Sequence, residues 1–345
     1  MAISSVSKRW LKRALMTAGA ARLAGRFAPP SAVILAYHSV RDHPETCADT
    51  IGVNNIHSTA VFTRQMELVA RAFHPVTLED ILLFLTGEGE LPPRAVAVTF
   101  DDGYADNCEI AAPVLERFGI RGAFYVTVDA IGNGSLPWFI RLRHAFWTPR
   151  QKQWREPGNG RVFTLSDSDG QRAAFLAACD QCARLVGDAQ AQLVRSIEDE
   201  LKAAPPAAGG IMMNWDQVRR LHAAGHVVGS HTLSHPNMAY VTEEEARHEF
   251  VESKRRLETQ LGTAVRHFSY PHPALNPNYT QRTAAMSREA GFASGVTTVS
   301  APVRRGQDAW LLPRIYTLNH PIDFRWHLER SFFQHGQNGA HSCDI

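Results

Sequence analysis

The chain predicts an α/β fold in which about seven strand–helix units close, or nearly close, into a barrel broken by a mainly helical insertion. Three observations predict it. Short apolar, β-branched runs alternate with helical patterns, as in parallel β/α units. Several of these runs end on polar groups, as strands do when they deliver side chains to the C-terminal mouth of a barrel. With 345 residues, 44 % hydrophobic and 20 % charged, the chain can also bury a large core. The alternative, an open doubly wound sheet, gives no reason for so many strands to end in polar groups.

Taken in order, Ala32 to Val40 follows Pro29-Pro30 as an apolar strand that passes through Tyr37-His38. Helices are expected near 60–72, where Phe62, Met66 and Val69 share a face, and near 78–85. Leu91-Pro92-Pro93 leads into Val96 to Phe100, a buried-strand pattern that stops on Asp101-Asp102-Gly103-Tyr104. A helix from Asn107 is ended by Gly119, and Ala123 to Val128 is the next strand. Asn214 with Gln217 opens a helix that Gly225 ends, after which Val227-Val228 delivers His231. Thr242 with Glu245 forms a second capping box, and that helix runs to Gly262. Strands at 266–270, 293–298 and 311–318, with a helix near 279–290, complete the series. The expected divisions are a basic N-terminal helix over 1–30, barrel halves over 31–132 and 211–322 around an insertion at 133–210, and a C-terminal tail over 323–345.

Composition excludes some classes. A net charge of +2 gives no electrostatic case for nucleic acid. Five cysteines, an odd count, do not describe a disulfide framework. Cys179 and Cys182 make a C-x-x-C inside a continuous helical run, which reads as two thiols on a helix face. Trp138, Trp147 and Trp154 in the insertion read as packing of a small helical layer, with sugar stacking the other option. The run Lys8-Arg9-Trp10-Leu11-Lys12-Arg13 fits a signal n-region, a basic helix on the inner membrane face, or a capping helix.

The chemistry concentrates in two places. Bare carboxylates are costly in a core, so Asp101 and Asp102 must reach a pocket edge where a cation or hydrogen bonds hold them. Neighbours on an extended chain point opposite ways, so one acid can bind a metal while the other handles protons. His231 and His235, four apart in Ser230-His231-Thr232-Leu233-Ser234-His235-Pro236, supply two imidazoles to one side. Two imidazoles and one carboxylate make a three-ligand site with open positions, suited to zinc and equally to other divalent first-row metals. A barrel would bring His38, Asp101, Asp102, His231, Tyr270 and Arg314 to the same mouth.

Thr99-Phe100-Asp101-Asp102-Gly103 followed by Ser230 to Pro236 resembles the first two motifs of the polysaccharide deacetylase (NodB-homology) family. The resemblance extends through Tyr37-His38, the helix after Thr242 and Phe268-Ser269-Tyr270-Pro271. It implies a distorted (β/α)7 barrel and a divalent metal, zinc first, held by Asp102, His231 and His235. Asp101 is then the general base, and the Tyr104 backbone N–H steadies the oxyanion. The same resemblance implies substrate contacts at His38, Tyr104, Tyr270, Pro271 and His272.

Two departures stand out. Ser269-Tyr270-Pro271-His272 lacks the arginine that orients the base in the family, and Arg314 is expected to supply that charge. The general acid is expected at His320, with His38 or His272 as substitutes. The implied activity is metal-dependent removal of an N-acyl group, most commonly acetyl, from an amino sugar of a polysaccharide or lipid-linked saccharide, with an exopolysaccharide as the leading example. The expected setting is cytoplasmic, with the inner membrane face and an exported form as the other options. A carbohydrate-binding protein on a lapsed deacetylase fold is the competing expectation. A two-His-one-carboxylate iron oxygenase is disfavoured because Asp102 lies far ahead of the first histidine.

Overall fold

The Ser31–Tyr37 strand is buried along its whole length, as a strand flanked by neighbours and covered on both faces must be. In the computed structural model, which describes residues 30–47, 49–132, 136–206, 209–272 and 274–333, it pairs in parallel with Ala95–Phe100 (Leu35 opposite Val98). The parallel ladder continues through Ala123–Val126, Val227–Ser230, His267–Ser269 and Ser294–Val296. The fold is α/β, with a sheet that curls until its far edge meets a seam. There Val296 bridges Leu312 in parallel, and Leu312 N–H donates to the Gly295 carbonyl at 2.8 Å. A few residues on, Ile315–Tyr316 pairs with Leu35 and Ala36. The closure is thin, and this thinness is the distortion of the barrel.

The long final strand expected over 311–318 is corrected by this seam. Ala309–Leu311 is a 3-10 turn and only Ile315–Tyr316 is strand. Pro313 cannot donate to a ladder, so pairing is interrupted there. A short antiparallel partner of Ser31 and Ala32, Val303–Arg304, has no sequence signature at two residues in length.

The helices follow their sequence signals. Asn214 with Gln217 and Thr242 with Glu245 form reciprocal capping boxes at the starts of Trp215–Ala223 and Glu243–Leu261. The helix expected from Asn107 begins as a π turn over Asn107–Ala111 before Ala112–Arg117 becomes α-helical. Residues 321–331, placed partly in the tail by sequence, form the helix Pro321–Ser331. Its Phe324 and Leu328 are buried in the main core, as is Phe332 just beyond it. Apolar spacing there had no strand after it to reveal its partner. The basic helix expected over 1–30 lies outside the described residues except for Pro30.

The insertion holds three helices, Trp138–Trp147, Ser168–Cys182 and Gly187–Leu201, with a hairpin of Gln153–Arg155 and Val162–Thr164. They enclose a second core that includes Phe146, Trp154, Phe175 and Val194. Trp154 and Trp138 are buried in it, so they pack rather than present platforms to sugars. Cys179 and Cys182 face the same core, and burial pushes the Cys182 thiol up to about 12. No helix among the described residues is long and apolar enough to cross a membrane.

Candidate metal centre

The Ala95–Phe100 strand ends by carrying Asp101 and Asp102 to a cavity of about 530 Å³ at the mouth of the sheet. Asp101 N–H still bonds the Tyr37 carbonyl at 3.0 Å, extending the ladder one residue. The chain then turns through left-handed backbone at Asp102 (φ 73°) and Gly103 (φ 90°). A Cβ at Gly103 would lie 3.2 Å from the Val126 and Ile131 side chains, so conformation and space both call for glycine. The turn sends the two carboxylates to different partners.

Asp102 faces the histidines. The Nε2 atoms of His231 and His235 lie 3.5 and 3.4 Å from its Oδ1. One ligand atom from each of the three residues falls within 4.8 Å of the others, and all three residues are buried. Burial alone would raise the Asp102 carboxyl, but the His231 and His235 imidazoles beside it hold it well below the usual carboxylate range. Burial also lowers the His235 imidazole. Anionic carboxylate and neutral imidazole are the forms that ligate metal. This donor set fits a divalent first-row cation with coordination positions left for water and substrate.

The two imidazoles are held differently. His231 follows the Val227–Ser230 strand, and its N–H bonds the Val126 carbonyl at 2.9 Å. Its Nδ1 lies 2.8 Å from the Ser269 carbonyl, an acceptor, which fixes a proton on Nδ1 and leaves Nε2 as the nitrogen turned toward the triad. His235 has no hydrogen-bond partner at Nδ1. Its ring instead lies against Phe139, centroids 4.5 Å apart, and its carbonyl accepts from Trp138 Nε1 at 3.2 Å.

The turn between them is left-handed at Thr232 (φ 67°) and His235 (φ 61°), backbone that persists only where the surroundings over-determine it. Here the buried Glu249 carboxylate accepts from Leu233 N–H at 2.7 Å, Ser234 N–H at 3.1 Å and Ser234 Oγ at 2.6 Å.

Asp101 faces Arg314 instead. The guanidinium donates to both carboxylate oxygens at 2.8 and 2.7 Å. Its other donors go to Thr99 Oγ1 (3.1 Å), Ser269 Oγ (3.0 Å) and the Thr297 carbonyl (3.1 Å). All five are engaged. Burial works against the charged Asp101 carboxylate, yet Arg314 holds it below its ordinary value. The missing arginine of the third motif is thus matched by a side chain from the seam.

The remaining sequence candidates divide. His38 and His272 line the cavity. Asn107 Nδ2 holds the His38 carbonyl at 2.7 Å, and the ring lies parallel to that of Tyr316 with centroids 6.1 Å apart. His272 shares a hydrogen bond with Asn276 Oδ1 at 3.1 Å. Tyr270 borders the cavity, but its hydroxyl is bonded to Ser287 in the core, so the phenol is not offered to substrate. Tyr104 and Pro271 are absent from the cavity wall. The Tyr104 phenol is buried behind the site; burial first, then its hydrogen bond and charge contact with Asp102, raises it well above its usual value.

His320, the first choice for the general acid, is not among the residues that line the cavity. It caps the Pro321–Ser331 helix, 41 % exposed, with Nδ1 3.5 Å from Asp323. The helix it starts carries another histidine, His327, to the cavity wall.

Sequence reasoning missed Glu249, His327 and Phe139. Glu249 had a readable signal. It sits on the buried stripe of its helix with Ala246, Phe250, Ser253 and Leu257, where a carboxylate is out of place unless something binds it.

Residues 88–158 and 188–294, about half of the chain, match the family model described as polysaccharide deacetylase. The gap in that match, 159–187, falls within the helical layer. A 61-residue segment is 36 % identical to the peptidoglycan-N-acetylglucosamine deacetylase of Bacillus cereus, covering 18 % of this chain and 22 % of that protein. Among solved structures, IcaB from Ammonifex degensii is similar over 88 % of this chain and 98 % of its own, with 19 % identity and a TM-score of 0.56. The deacetylase PplD of Streptococcus pyogenes, solved in complex with acetate, is similar over 84 % and 94 %, with 17 % identity and a TM-score of 0.53. At such identities the structural likeness speaks for the fold.

Proposed function

We propose that this chain, which belongs to the polysaccharide deacetylase family, hydrolyses an N-acyl group, most commonly acetyl, from an amino sugar of a polysaccharide or lipid-linked saccharide. One observation carries the reading: Asp102, His231 and His235 converge in the same cavity as a second carboxylate, Asp101, held ionised by Arg314. A divalent ion, zinc first, bound by that triad would polarise the acyl carbonyl and acidify a water.

The chain's own residues do the rest. Asp101, ionised and oriented by two guanidinium bonds, accepts the proton of the attacking water. The Tyr104 backbone N–H, next to the turn, steadies the developing oxyanion. His38 gives a proton to the departing amine. It lines the same cavity as Asp101 and Asp102. The lapsed, glycan-binding reading was motivated by the weak third motif and by the unassigned general acid; Arg314 beside Asp101 removes the first of these. The name of the B. cereus relative supports acetyl on an aminohexose as the first substrate to try. An exopolysaccharide handled at the inner membrane face is the setting we propose, on the strength of the basic run at 8–13.

The test is acetate release from N-acetylglucosamine oligomers by zinc- or cobalt-loaded protein. Release should stop with a chelator and with Asp101→Asn, and His38→Gln should slow it by about 10²–10⁴-fold. Release unaffected by Asp101→Asn, or none from any N-acylated glycan, overturns the reading.

A further inference from the structure

The Trp138–Trp147 helix contributes no donor atom to the triad, yet it touches the one ligand that the sheet leaves unsupported. The Ser269 carbonyl at 2.8 Å sets both tautomer and ring angle of His231. No acceptor does this for His235, whose buried Nδ1 is without a hydrogen-bond partner. Its backbone N–H bonds Thr232 Oγ1 at 3.0 Å within the turn, and the support from outside the turn comes from two aromatic neighbours in sequence. Trp138 Nε1–H holds its carbonyl at 3.2 Å, and the Phe139 ring lies over its imidazole at 4.5 Å and 47°. Trp138 is itself 5 % exposed and belongs to the core of the helical layer with Phe146 and Trp154. The placement of His235 is therefore transmitted from that core.

We propose that the first helix of the insertion is a working part of the metal centre: Trp138 and Phe139 are positioning residues for His235 and set how tightly and in what geometry the ion is held. The inference rests on the metal reading above. Its physical basis is pre-organisation. An imidazole free to turn loses rotamer entropy when it ligates, whereas one already packed against a ring, on a backbone held in place, loses less. Phe139 also lines the cavity, so the same ring shapes the space beside the ion.

Cobalt(II) titration of the full chain tests this, with the metal's visible absorption as the readout. Trp138→Phe keeps the ring and deletes the donor; Phe139→Leu keeps apolar bulk and deletes the ring face; Phe139→Tyr keeps the face. We expect Trp138→Phe and Phe139→Leu to weaken cobalt binding by about 10–100-fold and to shift the absorption bands, with Phe139→Tyr close to wild type. Thermal midpoints of the metal-free proteins should differ little. Lowered midpoints with unchanged cobalt affinity and spectrum would mean that these residues only stabilise the fold, and the proposal would be wrong. Should Phe139→Leu fail to fold, Trp138→Phe decides alone, since it removes the N–H donor while keeping a six-membered aromatic ring. A wild-type chain that binds no cobalt sinks the metal reading instead, so the two failures are distinguishable.

Discussion

The curled sheet and the helical layer beside it meet at the metal centre and serve it by opposite means. The sheet provides every donor atom: Asp102 from one strand end, His231 and His235 from the segment after another. The layer provides none, but its first helix presses on His235. A strand end is placed by its ladder to within a fraction of an ångström, and metal ligands need that accuracy. Gly229 shows how tightly the ladder is packed, since a Cβ there would lie 2.5 Å from the Tyr125 ring. The helical layer is organised around its own apolar core. The difference separates what makes the chemistry possible from what tunes it.

The sharpest way to break that division is to compare losses. Asp102→Ala or His231→Ala should cost more than the roughly 10–100-fold in metal affinity expected for supporting residues, measured by competition with a chelating dye. If Trp138→Phe costs as much, the sheet does not hold the dominant share. Next in size is Arg314→Met, which leaves Asp101 buried without its partner. We expect a loss of about 3–5 kcal/mol in urea denaturation, most of it recovered in the Asp101→Asn/Arg314→Met double variant. A double variant no more stable than the single would show that Arg314 supports the seam by packing instead.

A third prediction concerns pH on the sheet side. Burial, with His38 adding repulsion, pushes the His57 imidazole down to about 4. The unfolded chain binds a proton near the ordinary value of about 6.5, and the folded chain resists it. Stability from this group is therefore complete above about pH 6.5 and is lost as pH falls toward 4, by up to about 3 kcal/mol. His57→Gln should flatten that window when unfolding free energies at pH 7 and pH 4.5 are compared; an unchanged slope would refute the assignment. The smallest effect is expected in the layer. Cys179→Ala or Cys182→Ala should lower stability by no more than about 2 kcal/mol and leave metal affinity unchanged. A larger change in metal affinity would show that the second core reaches the ion through more than Trp138 and Phe139.

Much of this was legible in the chain. The alternation of apolar runs and capped helices indicated the order of units, and the capping boxes at Asn214 and Thr242 formed as read. Asp101-Asp102 and the histidine pair marked the site because two carboxylates at the end of a buried strand, and two imidazoles after another, have no reason to be there without a partner. A histidine next to a strand, such as His320, says nothing of which way the chain turns afterwards. Pro321 starts a helix there, and His327 reaches the cavity instead.

By itself the sequence determined the β/α series, the four chemical groups of the centre and the presence of a separate helical layer, all of which rest on local period, caps and residue type. The sequence offered Arg314 as the replacement charge, and tertiary structure decided how, 213 residues beyond Asp101, it closes onto both oxygens of that carboxylate. Tertiary structure alone decided that Glu249 clamps the histidine turn and that Phe139 carries His235. These pairings depend on where a curled sheet meets its own edge and which face a helix turns inward. A seam of one bridge and two-residue strands has no periodicity to announce it.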